Sequence, residues 1–371
     1  MKKTLLSALV AVLGFTTQAT AQSSILATLH HNGEIKTFYG TKALSEANKV
    51  AADGDVITLS SGTFNAPADT ITKAITLRGA GMELDTLNNV EPTIINGNIV
   101  LNIPEAATSN FILEAVDLSD SIRYNGTLKS PQFIKSRMDY IGGVTNSRII
   151  NAQFLHCIIS HKINLFANSS ATLVNCYVRD PYCQSKSASN FEFQNCVMYL
   201  YNYNLASSII RNSIIVYPKG GKNSYGTEYF ALAPSVTAYN CVGFWTGEFG
   251  YTTKTDGYLF YFQTNTSNTE LRKGTSYKTI FKDWNFFYKV LIDGFYTIGG
   301  TLENFKNTRL ELAESFKTTY KGSDGTEVGI YGGKLPFDAV STNPRITKCE
   351  VDGKTTADGK LSVKVEVNGK N

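Results

Sequence analysis

The chain is poor in the residues that most enzyme chemistry uses. Among 371 residues there are four His, two Trp and nine Pro, and only 18% are charged. No two acidic residues are adjacent anywhere. Two carboxylates set about 5–9.5 Å apart across a glycosidic bond would therefore have to come from separate segments. There is no concentrated basic run and the net charge is only +4, which argues against nucleic acid as a partner. A glycine-rich phosphate loop, zinc-ligand spacing and a Ser-His-Asp arrangement are also missing. The apolar run from Leu5 to Phe15 is too short to cross a bilayer, and no later segment is long and apolar enough.

That short run has another reading. Lys2 and Lys3 precede it, and Ala19-Thr20-Ala21 follows as a small-residue cleavage pattern. Residues 1–21 are expected to be a signal peptide, with Gln22 the mature start. No Cys follows the cleavage site, so a lipid anchor there is not expected. The expectation is a soluble, monomeric, exported protein in the periplasm, at the cell surface or outside.

What the chain does have is a period. His156-Cys157-Ile158, Asn175-Cys176-Tyr177, Asn195-Cys196-Val197, Asn212-Ser213-Ile214 and Asn240-Cys241-Val242 are one phrase, recurring at steps of 19, 20, 17 and 28 residues. Upstream, Val56-Ile57-Thr58-Leu59, Ala74-Ile75-Thr76-Leu77, Thr93-Ile94-Ile95, Phe111-Ile112-Leu113 and Phe133-Ile134 follow one another at steps of 18 to 21. Brief β-branched runs at about 20 residues, with Gly, Asn, Ser and Asp between them, predict a coil that climbs one rung per repeat. The fold class is all-β, a parallel β-helix whose rungs occupy residues 56–245.

Residues 22–55 hold a short strand near Ile25–Leu29 and then a helix. Leu44, Ala47, Val50 and Ala51 recur at helical steps, with Thr41 as N-cap, and this helix should cover the open end of the coil. After Trp245 the period breaks into an aromatic-rich stretch, 246–340, expected to finish the last rungs and cap the top. In 341–371, Leu361, Val363, Val365 and Val367 alternate with polar residues. They predict a strand, with Ile346–Val351 as its partner.

Six Cys in an exported chain suggest disulfides. Cys157, Cys176, Cys196 and Cys241, however, occupy the repeated position. Equivalent side chains on stacked strands point the same way about 4.8 Å apart. A disulfide wants its Cβ atoms about 3.8 Å apart, so a buried stack of free thiols is expected. The preceding Asn suits a left-handed bend.

The stretch Ala51-Ala52-Asp53-Gly54-Asp55-Val56-Ile57-Thr58-Leu59-Ser60-Ser61-Gly62-Thr63-Phe64, with Ile75-Thr76-Leu77-Arg78-Gly79-Ala80-Gly81 and Thr93-Ile94-Ile95-Asn96-Gly97, resembles the opening of right-handed parallel β-helices of the pectin-lyase-like superfamily. The Asn-Cys phrases are similar to that fold's turns. The segment from Leu310 to Gly333 resembles the closing part of secreted bacterial β-helix proteins of unassigned function. The resemblance implies a right-handed coil. It leaves activity open, because the superfamily includes lyases, hydrolases, esterases, tailspikes and adhesins.

Each chemistry leaves candidates. For a hydrolase the best carboxylates are Asp117 and Asp139, one rung apart. A Ca²⁺-dependent uronate lyase would draw on Lys135, Arg137, Arg148, Arg179 or Arg211, together with Asp117, Asp139 and Asp180; Ca²⁺ enters only under that reading. The superfamily's esterases carry Asp-Phe-Ile-Phe-Gly. Asp139-Tyr140-Ile141-Gly142-Gly143 matches it loosely and about half a rung early, while Asn146–Ala152 holds no carboxylate. His156 and His161 are close enough in sequence to share a metal, yet His156 stands where Asn stands elsewhere. Aromatics are the remaining lead. Tyr199, Tyr201 and Tyr203 alternate on one face, and Trp245 and Tyr251, with Tyr182, Tyr225 and Tyr229, line an adjacent groove on which sugar rings could stack. The reading is a secreted, non-catalytic protein, without cofactor, that binds polysaccharide or a cell-surface glycan through its solenoid face. A uronate lyase and a structural or adhesive surface component are the alternatives.

Overall fold

The computed structural model describes residues 25–85, 89–183, 189–200, 205, 207–217, 221–222, 228–229, 236–245, 256–262, 271–276, 314–343, 345–351 and 363–368. It is a parallel β-solenoid built on two long sheets of eleven and thirteen strands. In the first sheet, Val56–Leu59, Thr76–Arg78, Ile112–Glu114, Gln132–Ile134, Ala152–Leu155, Ser170–Val174, Asn190–Gln194, Ile209–Arg211 and Thr237–Tyr239 stack in parallel register. Residues in register across the rungs point inward, giving the buried column Ile57, Leu77, Leu113, Phe133, Phe154, Leu173, Phe193, Ile210 and Ala238. The facing column from the second sheet is Phe64, Ile95, Leu118, Met138, Ile159, Val178, Met198 and Ile215. The recurring apolar triplets are thus the two walls of one filled core. Phe133 and Phe154 lie stacked in it, with ring centroids 4.6 Å apart.

The repeated phrase is the corner between the walls. Ala115, Lys135, His156, Asn175, Asn195, Asn212 and Asn240 all have φ between 44° and 60°, in the left-handed region. The next residue is Val116, Ser136, Cys157, Cys176, Cys196, Ser213 or Cys241. Ser136, Cys176 and Ser213 each accept a backbone N–H from the rung before. Cys157 N donates to Cys176 Sγ at 3.3 Å, and Cys196 N donates to Ser213 Oγ at 3.0 Å. Each sulfur or hydroxyl also reaches a carbonyl two residues back, as Cys176 Sγ does to Val174 O at 3.2 Å and Ser213 Oγ to Arg211 O at 2.7 Å. Cys and Ser alternate here because both satisfy a buried N–H in a space too small for a larger group. Cys157, Cys176, Cys183, Cys196 and Cys241 are buried and form no disulfide.

The lower end is covered by a hairpin as well as a helix. Leu26–His31 turns through Asn32-Gly33 into Glu34–Tyr39 and pairs antiparallel with Val56–Leu59. Helix α1, Ala43–Val50, buries Ala43, Leu44 and Ala47. Its N-cap is Lys42, without a side-chain cap bond, in place of the expected Thr41, and Val50 is exposed. At the upper end, Asp256–Phe262 and Leu271–Ser276 continue the second sheet antiparallel from Cys241–Trp245.

The segment after helix α2, Glu314–Thr319, does something the repeat gave no hint of. It was expected to finish the last rungs and cap the top. Instead it runs back down the outside as a strap along the left-handed corner. Ser323 N donates to Asn212 Oδ1 (2.9 Å), and Asn175 Nδ2 donates to Ile330 O and Gly332 O (both 2.8 Å). Asp338 N donates to His156 Nδ1 (2.9 Å), Lys135 Nζ reaches Val340 O (2.8 Å), and Asn343 Nδ2 reaches Gly79 O (3.0 Å). Beneath lies an outward row of the second sheet, Ile158, Tyr177, Val197, Ile214 and Val242, each at most 1% exposed. Tyr320, Val328, Ile330, Phe337 and Ala339 of the strap are buried too. This is a second, external apolar layer, and each fully buried aliphatic side chain in it contributes about 1.5–3 kcal/mol. Beyond the strap, Arg345–Val351 pairs antiparallel with Val363–Asn368, the expected terminal hairpin.

Candidate functional site

Where the strap leaves the second sheet uncovered, three strands run long: Asp117–Tyr124, Arg137–Gly143 and Ile158–Leu165. Their register shifts between Met138 and Tyr140. Met138 pairs with Leu118 and Ile159, whereas Tyr140 pairs with Ser121 and Lys162, so each neighbour carries one extra residue there. A bulge of this kind re-aims the side chains that follow it. Beyond it, Ile122, Ile141, Ile163 and Pro181 form the inward row. The rows on either side therefore face out. One is Ser121, Tyr140 and Lys162; the other is Arg123, Gly142, Asn164 and Tyr182.

These side chains form a connected platform. The Tyr140 ring lies across Gly142, where a Cβ would come 2.6 Å from ring carbon Cε1, so any larger residue there would displace the ring. The Tyr140 hydroxyl accepts from Asn164 Nδ2 at 3.2 Å on the next rung. From the rung before, the Arg123 guanidinium stacks 4.1 Å from the ring centroid, and its Nε donates to Ser121 Oγ at 3.2 Å. Lys162 Nζ sits 3.9 Å over the Tyr182 ring and 3.6 Å from Asp180 Oδ2. Beside the bulge, Ser160 Oγ donates to Asp139 Oδ1 at 3.2 Å, and His161 Nδ1 lies 3.6 Å from Asp139 Oδ2. Ser, His and Asp thus meet, but serine and histidine both contact the aspartate. A nucleophilic triad needs histidine between the other two.

The candidates read from sequence divide into three groups. Tyr199 is buried, 6% exposed, with the Arg179 guanidinium 5.2 Å over its ring, so it presents no face to solvent. Tyr201, Tyr203, Tyr225 and Tyr251 lie outside the described residues, as do the side chains of Trp245 and Tyr229. Tyr182 joins the platform. Among the charged candidates, Asp117 is buried and accepts both Nε and Nη2 of Arg137, which is itself only slightly exposed. Burial pushes the Asp117 carboxyl up, while the Arg137 guanidinium pulls it down. Lys135 is held by Asp338, Arg148 by Thr127 and Glu105, and Arg211 by Glu192. His156 serves the strap while His161 serves Asp139, so the two do not share a ligand position. Among the described residues no three His, Cys, Asp or Glu side chains converge as a metal site would require.

A separate cavity of about 590 Å³ opens among the turns, lined by residues that include Thr127, Asn146, Arg148, Phe166 and Asn168. It shares no residue with the platform. No family model matches this chain, and neither a curated protein nor a solved structure matches it.

Proposed function

We propose that this protein is an exported, non-catalytic glycan-binding solenoid, and that its binding face is the platform of Arg123, Tyr140, Lys162, Asn164 and Tyr182. The observation that carries the reading is the order of groups along the rungs: a cation, a ring, an amide and a cation on a second ring, all on one outward face. Sugars offer apolar ring faces rimmed by hydroxyls. Tyrosine supplies a matching face, and amide, hydroxyl and charged groups supply the rim. The side chains are braced by one another, so little conformational freedom remains to be lost on binding. The resemblance to pectin-lyase-like β-helices supports a polysaccharide or cell-surface glycan as partner at the level of fold analogy. A lyase reading has less support, because Lys135, Arg137, Arg148 and Arg211 are each engaged in ion pairs or hydrogen bonds of their own.

The test is a glycan array with wild type and a Tyr140→Ala/Tyr182→Ala double variant, alongside an ultraviolet assay for unsaturated sugar products. Binding that drops about tenfold or more in the variant, without turnover, is expected. Turnover by the wild type, or binding indifferent to both rings, refutes the proposal.

A further inference from the structure

Arg123 differs from the other platform cation. Lys162 is neutralised by Asp180 at 3.6 Å. Arg123 is exposed, and among the described residues no carboxylate lies within ion-pair distance of it. It is nevertheless held firmly. Nε is tied to Ser121 Oγ and the guanidinium plane rests on Tyr140, whose hydroxyl is fixed by Asn164. Ser121 itself is buried and donates to Asn98 Oδ1 on the preceding rung. Four residues from successive rungs thus hold one guanidinium with its terminal nitrogens facing solvent.

A guanidinium braced at Nε and on one face presents its remaining N–H groups as a rigid fork. That geometry matches two oxygens of one anion, as in a carboxylate or a sulfate ester. We infer that Arg123 is the receptor for an acidic substituent of the bound glycan, and that the protein selects anionic over neutral chains. The inference rests on the glycan-binding reading above and deepens it.

The test compares three polymers: a polyuronate, the same polymer with its carboxyls reduced to alcohols, and a neutral polymer bearing sulfate esters. Affinities are measured for wild type, Arg123→Gln and Arg123→Lys, with melting curves to confirm the fold. Wild type is expected to bind at least one acidic polymer more tightly than the reduced one; the preference between carboxylate and sulfate identifies the substituent. Arg123→Gln should lose about tenfold to hundredfold on that polymer and clearly less on the reduced one. Arg123→Lys should not restore the loss, since a point charge lacks the fork. Equal affinity for acidic and reduced polymers, equal losses on both, or full rescue by lysine overturns the inference and leaves the platform standing. Absence of binding to all three polymers overturns both.

Discussion

Asn175 is where the strap can be pulled off. Its side chain is buried, and Nδ2 donates two 2.8 Å bonds to strap carbonyls of Ile330 and Gly332. Its backbone sits at φ 49°, a conformation that asparagine adopts and alanine resists. Asn175→Ala therefore carries two costs. Left-handed backbone costs alanine about 1–2 kcal/mol. Two bonds worth about 1 kcal/mol each are lost, and the carbonyls left without a donor bring this second cost to about 2–4 kcal/mol. Asn175→Gly separates the terms, since glycine keeps the bend and loses the bonds. Asn146→Ala serves as the control for backbone alone, at an exposed bend with φ 67°. Urea unfolding reads the global loss, and limited proteolysis with mass mapping reads local opening. A strap that opens before the coil appears as new cleavage between 320 and 343 at an unchanged unfolding midpoint. Expected is Asn175→Ala as the most sensitive, Asn175→Gly next and Asn146→Ala near wild type in strap cleavage. If Asn175→Gly matches wild type in both assays, the bonds do not hold the strap and the reasoning fails.

The Asp117–Arg137 pair is buried while Arg211–Glu192 is open to solvent. Arg137→Ala should lower urea stability by about 3–5 kcal/mol because it strands a buried carboxylate, and Arg211→Ala by less than about 1; equal losses would contradict the burial assigned here. Phe154→Ala should cost about 3–5 kcal/mol, read in the same assay, as the inner ring column loses its stacked member. The thiols of the corner stack should resist iodoacetamide in the native protein and react fully in denaturant, with mass spectrometry as readout. Burial pushes the Cys241 thiol up to about 12 from 9.0, so the unfolded chain loses this proton first. Stability should then fall as pH rises from about 9 towards 12, by about 1.4 kcal/mol per unit for this group, and Cys241→Ser should flatten the slope. Parallel slopes for the two proteins would show the thiol is not protected.

The rungs were legible because their contacts repeat. A residue about 20 positions away occupies the equivalent site, so each apolar triplet announces the next, and the Asn-Cys phrase marks a corner where a left-handed bend and a small acceptor are both required. The lower hairpin was legible in principle: Asn32-Gly33 takes φ 48° and 83°, the turn that joins two strands most tightly. The strap had no such signal. Its bonds join residues 111 to 264 positions apart, and nothing periodic in 320–343 announces them. Only the glycines hinted at a close approach. A Cβ on Gly329 would come 2.7 Å from Ile214 Cδ1, and one on Gly332 would come 2.6 Å from Asn195 Nδ2.

The platform was hidden for a different reason. Tyr140 joins the outward face only because its strand is one residue shorter than its neighbours after Met138: inward Met138 and Ile141 are three positions apart, whereas inward Ile159 and Ile163 are four apart. Along a strand, a one-residue slip turns every later side chain to the opposite face. A strictly alternating reading past Met138 therefore misassigns which residues meet across rungs. That same offset sets Arg123 beside Tyr140 instead of one step out of phase. The strap and the bulge together decide which side chains of the sheet reach the surface: one covers the row next to the corner, and the other re-aims the row beyond it. The platform is thus set by the two departures from the repeat, and removing the bulge should abolish it without unwinding the coil. Inserting one residue between Met138 and Tyr140 is the direct trial, with retained β circular dichroism and lost glycan binding as the expected pair of results.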